Sequence, residues 1–111
     1  MATTPRIVFV TASSMDEGRT LAQAILEKHL AACVSIVPGM ESHYWWKDKL
    51  ETTAEVQLII KSSAEQFETL AELVRWHHSY ECPEIVSVAP AEMSPEYRAW
   101  WEKEVDQDNR A

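Results

Sequence analysis

Two segments rich in valine and isoleucine flank an aromatic centre between Ala32 and Ser62, and this stretch constrains the fold more than any other. The flanking segments predict the arms of a β-hairpin, because β-branched residues favour strands. As one strand, Glu51 to Ser62 would extend about 40 Å at ~3.3 Å per residue, whereas a compact chain of 111 residues has a radius of gyration of only about 13 Å. The hairpin is therefore predicted to project beyond its own domain.

The far end of this hairpin is aromatic, with Tyr44, Trp45 and Trp46 following His43. A projecting ribbon with uncovered aromatic rings would aggregate unless a partner covered it, since strand edges and large apolar patches attract other chains. We therefore expect self-association, with Tyr44, Trp45 and Trp46 in the interface. A hairpin that bends back over its own core is the alternative.

The hairpin also contains signals for a bend and a turn. Pro38 and Gly39 interrupt the first arm, so a bend or bulge is predicted there, because proline removes a donor from the strand pairing. The residues from Lys47 to Lys49 predict the turn. The turn type stays open, since no Asn-Gly pair is present.

Length and charge limit the class of protein. The 111 residues fit a single domain, residues 1–111, and the formal net charge of −8 argues against nucleic acids or anionic membranes as partners, because both attract clustered Lys and Arg. No segment approaches the ~20 apolar residues that span a bilayer, and the N-terminus lacks a signal-peptide pattern. The sequence therefore predicts a cytoplasmic protein with free thiols at Cys33 and Cys82.

The remaining segments predict further helices and strands. Arg6 to Ala12 is a near-continuous apolar run that suits a central strand, and Ile85 to Ala89 predicts a short last strand. Helical apolar stripes follow candidate caps at Ser14, Ser63 and Ser94. The order is β-α-β-β-α-β plus a C-terminal helix, which predicts an α+β, ferredoxin-like antiparallel sheet with helices on one face.

The apolar stripe of the first predicted helix indicates where that helix ends. Leu21, Ile25 and His29 recur at four-residue spacing. His29 is therefore expected to complete the apolar face. The helix is predicted to end near Leu30.

The segment HHSYECPE, which begins at His77, concentrates side chains that bind metal ions. It holds two imidazoles, one thiol and two carboxylates, and imidazole with thiolate suits copper or zinc better than calcium or magnesium. Adjacent helical positions point about 100 degrees apart, so His77 and His78 do not easily hold one ion, and another ligand would come from Cys82 or another subunit. The alternative is that both histidines simply end a helix, where the dipole favours a cation.

Recognised catalytic motifs are missing from the sequence. It contains no GxSxG, HExxH or CxxC pattern, and only Gly18 and Gly39 exist to form a phosphate-binding loop. The sequence therefore does not predict an enzyme.

Three blocks of the sequence, LAACVSIVPGMESHYWWKDKLE, EVQLIIKS and HHSYECPEI, resemble the CutA divalent-cation tolerance proteins, and the resemblance extends from Ile7 to about Trp101. It implies a ferredoxin-like subunit assembled as a homotrimer through its hairpins, with an architecture similar to that of PII-type signalling proteins. It also implies a cytoplasmic protein that binds copper or other divalent cations and contributes to tolerance of them.

The resemblance carries over to individual residues in part. In copper-binding members, the metal is attributed to a cysteine at the end of the first strand and to paired histidines after the second helix. His77 and His78 match the histidine pair. The cysteine position falls at about Val10, which cannot bind a metal, and Cys82 is the hypothetical substitute. The resemblance thus implies a copper ion, or another divalent cation such as zinc, at His77 and His78, and we add Cys82 as a hypothetical further ligand.

Two other functions stay open. The PII-like architecture suggests a module that senses a small ligand or docks a protein without a metal, with Arg6, Lys47 and Lys49 acting beside the hairpin aromatics. A purely structural trimer is the third interpretation.

Overall fold

The computed structural model describes residues 3–105, and its strands form one antiparallel sheet in the order β2-β3-β1-β4. This arrangement confirms the predicted α+β, ferredoxin-like βαββαβ fold with a C-terminal helix. Along the chain, the elements are β1 (Pro5–Ala12), α1 (Met15–Glu27), β2 (Cys33–Trp46), β3 (Lys49–Ser63), α2 (Phe67–His77), β4 (Val86–Val88) and α3 (Pro95–Val105).

The core lies between one face of the sheet and the helices α1 and α2. Side chains alternate across a strand, so every second residue of the central strands β1 and β3 points into the core. The helices contribute residues at three- and four-residue spacings. The buried set comprises Val8, Val10 and Ala12 of β1, Val56, Leu58 and Ile60 of β3, Leu21 and Ile25 of α1, and Leu70 and Val74 of α2.

Helix α1 ends earlier than the sequence predicts. Its last residue is Glu27, and His29 adopts the left-handed conformation with φ 54°. The His29 N–H donates to the Leu26 oxygen and the Leu30 N–H to the Ile25 oxygen, which is the Schellman arrangement that closes a helix. The prediction for His29 was therefore wrong: its side chain is exposed, and Leu30 is buried in its place.

The hairpin is paired from Cys33 opposite Lys61 to Trp46 opposite Lys49, with one interruption in β2. Lys47 and Asp48 form the turn with φ values of 50° and 66°, which is the signature of a two-residue type I′ turn. The turn is therefore one residue shorter than predicted.

The predicted interruption of the first arm is confirmed. The pairing of β2 with β3 shifts register between Val37 and Met40. Gly39 has φ 81°, a conformation that glycine adopts without steric cost. The chain therefore accommodates a bulge at Pro38 and Gly39 while β2 continues.

The hairpin projects past the rest of the sheet. Strand β1 pairs with β3 only between Val56 and Ser63, so the segment Lys49 to Glu55 of β3 is paired with β2 alone. The molecule accordingly measures 46 Å along its longest axis and 27 and 22 Å along the others. The hairpin does not bend back over the core.

The C-terminal helix closes the end of β3. Pro95 is its first residue, and the Ser94 hydroxyl accepts from the Tyr97 N–H at 3.4 Å, as the predicted cap requires. Trp101 is buried and donates from Nε1 to the Ser62 oxygen at 2.7 Å. A hydrogen bond from the Trp101 indole therefore holds α3 against the end of β3, in addition to apolar contacts.

Two segments near α2 differ from prediction. The Ser63 hydroxyl accepts from the Gln66 N–H within a turn, so α2 begins at Phe67 instead of directly after the serines. Strand β4 is limited to Val86–Val88.

Between residues 3 and 105, none of the helices has both the length and the apolar character needed to cross a membrane.

Candidate functional site

The two adjacent histidines occupy different environments, because α2 ends between them. His77 is its last residue and is exposed, whereas His78 has extended backbone and a fully buried side chain. His78 donates from Nε2 to the Thr11 main-chain oxygen at 2.7 Å, and its Nδ1 accepts from the Tyr80 N–H at 3.0 Å. Both ring nitrogens are therefore engaged, and these partners define one neutral tautomer.

Glu17 joins the start of α1 to the segment after α2. Its carboxylate accepts hydrogen bonds from the Ser13 N–H and hydroxyl at 2.8 Å each and from the Ser79 N–H at 2.7 Å. Partial burial raises the pKa of Glu17, but the hydrogen bonds from Ser13 and Ser79 outweigh it and lower the pKa from 4.5 to about 2. The carboxylate is thus ionised, and it lies 3.7 Å from the His78 Nδ1.

Tyr80 connects the same segment to the base of the hairpin. Its hydroxyl donates to Glu55 Oε2 at 2.7 Å, and its ring lies 4.7 Å from the His78 ring, centroid to centroid. Burial, followed by the hydrogen bond and charge of Glu55, raises the pKa of Tyr80 well above its usual range. Tyr80 therefore stays protonated and acts as a donor to Glu55.

A cleft of about 620 Å³ lies between the projecting hairpin and the segment 79–84. This volume is within the range of about 300 to 1,000 Å³ that is typical of sites for small molecules. The lining combines aromatic rings with carboxylates. The rings are those of Tyr44, Trp46 and Tyr80, and the carboxylates are those of Glu55, Glu81 and Glu84.

The structure separates the predicted metal ligands. Cys82 is exposed and lines the cleft, whereas neither His77 nor His78 does. Val10, where the resemblance was expected to place a cysteine, is completely buried in the core. Within the described residues, no three His, Cys, Asp or Glu side chains are grouped so that they could hold a metal ion. A single chain therefore does not bring His77, His78 and Cys82 together as a ligand set.

The aromatic residues predicted for the interface are exposed at the end of the hairpin. Trp45 is 73% exposed, and Tyr44 and Trp46 are each partly exposed. Tyr44 and Trp46 line the cleft, whereas Trp45 does not, which is consistent with the alternation of side chains along β2. The hairpin thus presents aromatic surface outside the cleft as well as within it.

The basic residues proposed for a small-ligand site do not converge. Lys47 and Lys49 lie at the tip of the hairpin, whereas Arg6 is opposite Ser62 at the far end of β3. The thirteen positions from Lys49 to Ser62 correspond to about 43 Å at ~3.3 Å per residue. Arg6 therefore does not share a site with the two lysines in one chain.

Sequence reasoning missed the roles of Glu17, Tyr80 and Glu55. A signal existed for Glu17, since Ser14 followed three residues later by glutamate is a capping box. The Ser14 hydroxyl accepts from the Glu17 N–H at 3.1 Å, as that motif requires. No local signal marks the contact between Tyr80 and Glu55, because it joins a loop to a strand 25 positions earlier.

The strand order, the projecting hairpin and the cleft at its base define the class of the protein. It is a ferredoxin-like α+β protein whose hairpin extends past the rest of the sheet. A model of the CutA1 divalent ion tolerance protein family matches residues 6–104. The chain therefore belongs to the CutA1 family.

Individual relatives agree with this assignment. The divalent-cation tolerance protein CutA of Thermus thermophilus is 40% identical over 94 residues, which are 85% of this chain and 91% of that protein. The chloroplastic protein CutA 1 of Oryza sativa subsp. japonica is 41% identical over 94 residues, which are 85% of this chain. The chain spans about half the length of that plant relative, 53%.

The fold is shared with solved CutA structures. The crystal structure of CutA1 from Oryza sativa superposes with a TM-score of 0.91 at 36% identity, covering 96% of this chain and 97% of that one. The structure of the periplasmic divalent cation tolerance protein CutA from Archaeoglobus fulgidus superposes with a TM-score of 0.88 at 33% identity, covering 92% of this chain and 99% of that one.

The names of these relatives correct the predicted location. Relatives are named chloroplastic in rice and Arabidopsis thaliana, and the Archaeoglobus protein is named periplasmic. The prediction of a cytoplasmic protein was wrong, because it relied on the N-terminal composition and the CutA resemblance. Because members of one family with one fold are named after different compartments, neither the N-terminal composition nor the resemblance to CutA determines the compartment.

Proposed function

We propose that this chain forms a homotrimer of single-domain subunits that binds divalent metal ions and contributes to tolerance of them, without enzymatic activity. Membership of the CutA1 divalent ion tolerance family supports this proposal. The observation that carries the metal-binding part is the contrast between the histidines, since His78 is used by the fold while His77 is exposed. Copper or zinc suits an imidazole and thiolate set.

The hairpin supports the trimeric part of the proposal. Trp45 and the cross-strand neighbour Leu50 are 73% and 67% exposed, and both lie on the part of the hairpin that β1 does not cover. Large exposed apolar side chains on a paired ribbon favour contact with another copy. We therefore place Tyr44, Trp45 and Trp46 in the interface between subunits.

The metal site of this proposal is shared between subunits. Structural zinc takes four ligands, and the described part of one chain offers no group of three. His77 is the first ligand, because its imidazole is exposed, and Cys82 is the second, because its thiol is exposed in the cleft. Neighbouring copies supply the remaining ligands. His78 supports the site by holding the segment that carries Cys82.

Native mass spectrometry with and without copper tests both the trimeric assembly and the metal binding. We expect a trimer whose mass rises on addition of copper, and a loss of that rise in His77→Ala and Cys82→Ser. His29→Ala is the matched control, since His29 is exposed but lies at the end of α1. A trimer without a copper-dependent mass would contradict the metal-binding part, and a monomer would contradict the assembly.

The cleft favours a second candidate function. A PII-like module that senses a small molecule without a metal needs a concave site, and the cleft of about 620 Å³ beside the hairpin provides one. Saturable binding of a small organic molecule in the presence of a metal chelator would support this candidate over the first.

A further inference from the structure

The cleft beside the hairpin is acidic, which limits the ligands that it accepts. Glu55, Glu81 and Glu84 line it, and its lining contains no Lys or Arg, although the Lys47 ammonium lies beside it, 3.6 Å from Glu81 Oε1. The chain as a whole carries a formal net charge of −8. A phosphate or carboxylate ligand would therefore be repelled, whereas a cation would be attracted.

Glu55 provides a directed acceptor in this cleft. The residue is only 8% exposed, and Tyr80 occupies its Oε2. No buried side-chain oxygen of residues 3–105 lacks a hydrogen-bond partner, so Oε1, for which no bond is found, is not fully buried, and Glu55 lines the cleft. A carboxylate that is nine-tenths buried and has one open oxygen favours a ligand that donates a charge-assisted hydrogen bond.

The walls of the cleft suit the body of an organic cation rather than a bare metal ion. Tyr44 and Trp46 line the hairpin side, so in the proposed trimer the cleft opens at the interface between subunits, and Tyr80 lines it from the segment after α2. Aromatic faces attract cations through the ring quadrupole and also cover apolar groups. The oxygen ligands are not grouped for metal coordination in the described chain.

An ammonium group of the protein itself already lies between an aromatic ring and a carboxylate at this cleft. Lys47 Nζ lies 5.6 Å from the centroid of the Trp46 ring and 3.6 Å from Glu81 Oε1. Both Trp46 and Glu81 line the cleft. The Lys47 ammonium therefore occupies a position between an aromatic face and a carboxylate that a free amine could also occupy.

We propose that the cleft binds a small organic molecule carrying a primary ammonium group, with the ammonium donating to Glu55 and the apolar body between the aromatic walls. This inference rests on the second candidate function and specifies its ligand class. Lys47 competes for the same cleft at the Trp46 and Glu81 side.

Calorimetric titration of the full-length protein, in its own assembly state, tests the ligand class. The probes are phenethylamine and phenethyl alcohol, which share a shape but differ in charge at neutral pH. Phosphate buffer with a chelator is required, because common amine buffers are themselves ammonium ions and metals would add a second mode of binding. We expect phenethylamine to bind roughly tenfold or more tightly than the alcohol, the ratio typical of a charge-assisted hydrogen bond.

Substitutions of Glu55 and Lys47 test their roles in binding the amine. Glu55→Gln keeps an acceptor for Tyr80 but removes the charge, so the amine should bind roughly tenfold more weakly while binding of the alcohol is unchanged. Lys47→Met removes the competing ammonium and should strengthen amine binding. Glu72→Gln, on the exposed side of α2, is the control and should change neither.

The possible failures are distinguishable. Equal affinity for both probes would overturn the ammonium inference while leaving a small-molecule site in place. Absence of binding by both probes at millimolar concentration would overturn the inference and the second candidate function together. If Glu55→Gln does not fold, the comparison of the two probes on the wild type and on Lys47→Met still decides the proposal.

Discussion

His78 donates a hydrogen bond from Nε2 to the main-chain oxygen of Thr11 at 2.7 Å, and this contact joins the segment after α2 to the end of β1. The second ring nitrogen accepts from the Tyr80 N–H, which orients the segment toward the hairpin. Because the imidazole is buried between these partners, its replacement leaves backbone polar groups without hydrogen bonds. Within residues 3–105, the neighbouring His77 makes no such contact and is exposed at the end of α2.

The first prediction concerns these two histidines. His78→Ala should lower the free energy of unfolding by about 1–3 kcal/mol, because two buried backbone groups lose their partner. His77→Ala should change it by less than about 0.5 kcal/mol, as is usual at exposed positions. Urea denaturation at fixed protein concentration measures both values. Equal losses in the two variants would show that the division of roles is wrong.

The elements were predictable because their signals are local. The serine cap of α1, the interruption at Pro38 and Gly39, and the apolar run of β1 each involve residues within a few positions of one another. These signals were enough for the βαββαβ order. The left-handed residue that ends α1 was missed, because that position is usually glycine and here it is His29.

The contacts of the site were not predictable in the same way. His78 and Thr11 are 67 positions apart, and Tyr80 and Glu55 are 25 apart. No periodicity connects such residues, and their proximity depends on how far the hairpin extends beside the segment 79–84. The sequence therefore drew attention to the segment HHSYECPE but predicted neither the burial of His78 nor the cleft itself.

The second prediction concerns pH and Glu17. Its pKa is lowered from 4.5 to about 2 in the folded protein, so the ionised carboxylate contributes stability above about pH 4.5, and this contribution is lost as the pH falls through about 2. Glu17→Gln should be less stable than the wild type by about 1–3 kcal/mol at neutral pH, since it loses charge-assisted hydrogen bonds from Ser13 and Ser79.

Unfolding curves over the acidic range check this prediction. The difference between wild type and Glu17→Gln should shrink between about pH 4.5 and 2, because the wild-type carboxyl becomes neutral there. Glu72→Gln controls for the loss of one exposed negative charge. A difference that stays constant across this range would mean that ionisation of Glu17 does not stabilise the fold.

The third prediction concerns the bulge at Gly39. Its φ of 81° is strained for a residue with a side chain, but a Cβ at this position would meet no atom within 4 Å. Gly39→Ala should therefore cost about 1–2 kcal/mol through the backbone alone. Gly39→Asn should cost less, since asparagine tolerates the left-handed conformation. Thermal and urea unfolding of both variants measure their relative stability. An alanine variant that is more stable than the asparagine variant would contradict the prediction.

The last prediction concerns assembly through the hairpin. In the proposed trimer, Trp45 and Trp46 cover apolar surface of neighbouring subunits, and aromatic residues at such positions contribute about 2 kcal/mol or more each to binding. Because such contributions are not additive, we count one of them: Trp45→Ala combined with Trp46→Ala should raise the dissociation constant of the trimer at least about thirtyfold, the equivalent of about 2 kcal/mol. Both residues lie outside the core, on the part of the hairpin that β1 does not cover, so the monomer fold should be retained.

Analytical ultracentrifugation at micromolar concentration measures this change, with circular dichroism as the check on folding. Trp76→Ala is the matched control, because Trp76 is 85% exposed but lies on α2 and not on the hairpin. Dissociation of the double hairpin variant with an intact control would support the hairpin as the assembly element. If the double variant remained fully trimeric, the exposed tryptophans would not be what holds the subunits together, and the interface would have to lie elsewhere on the sheet.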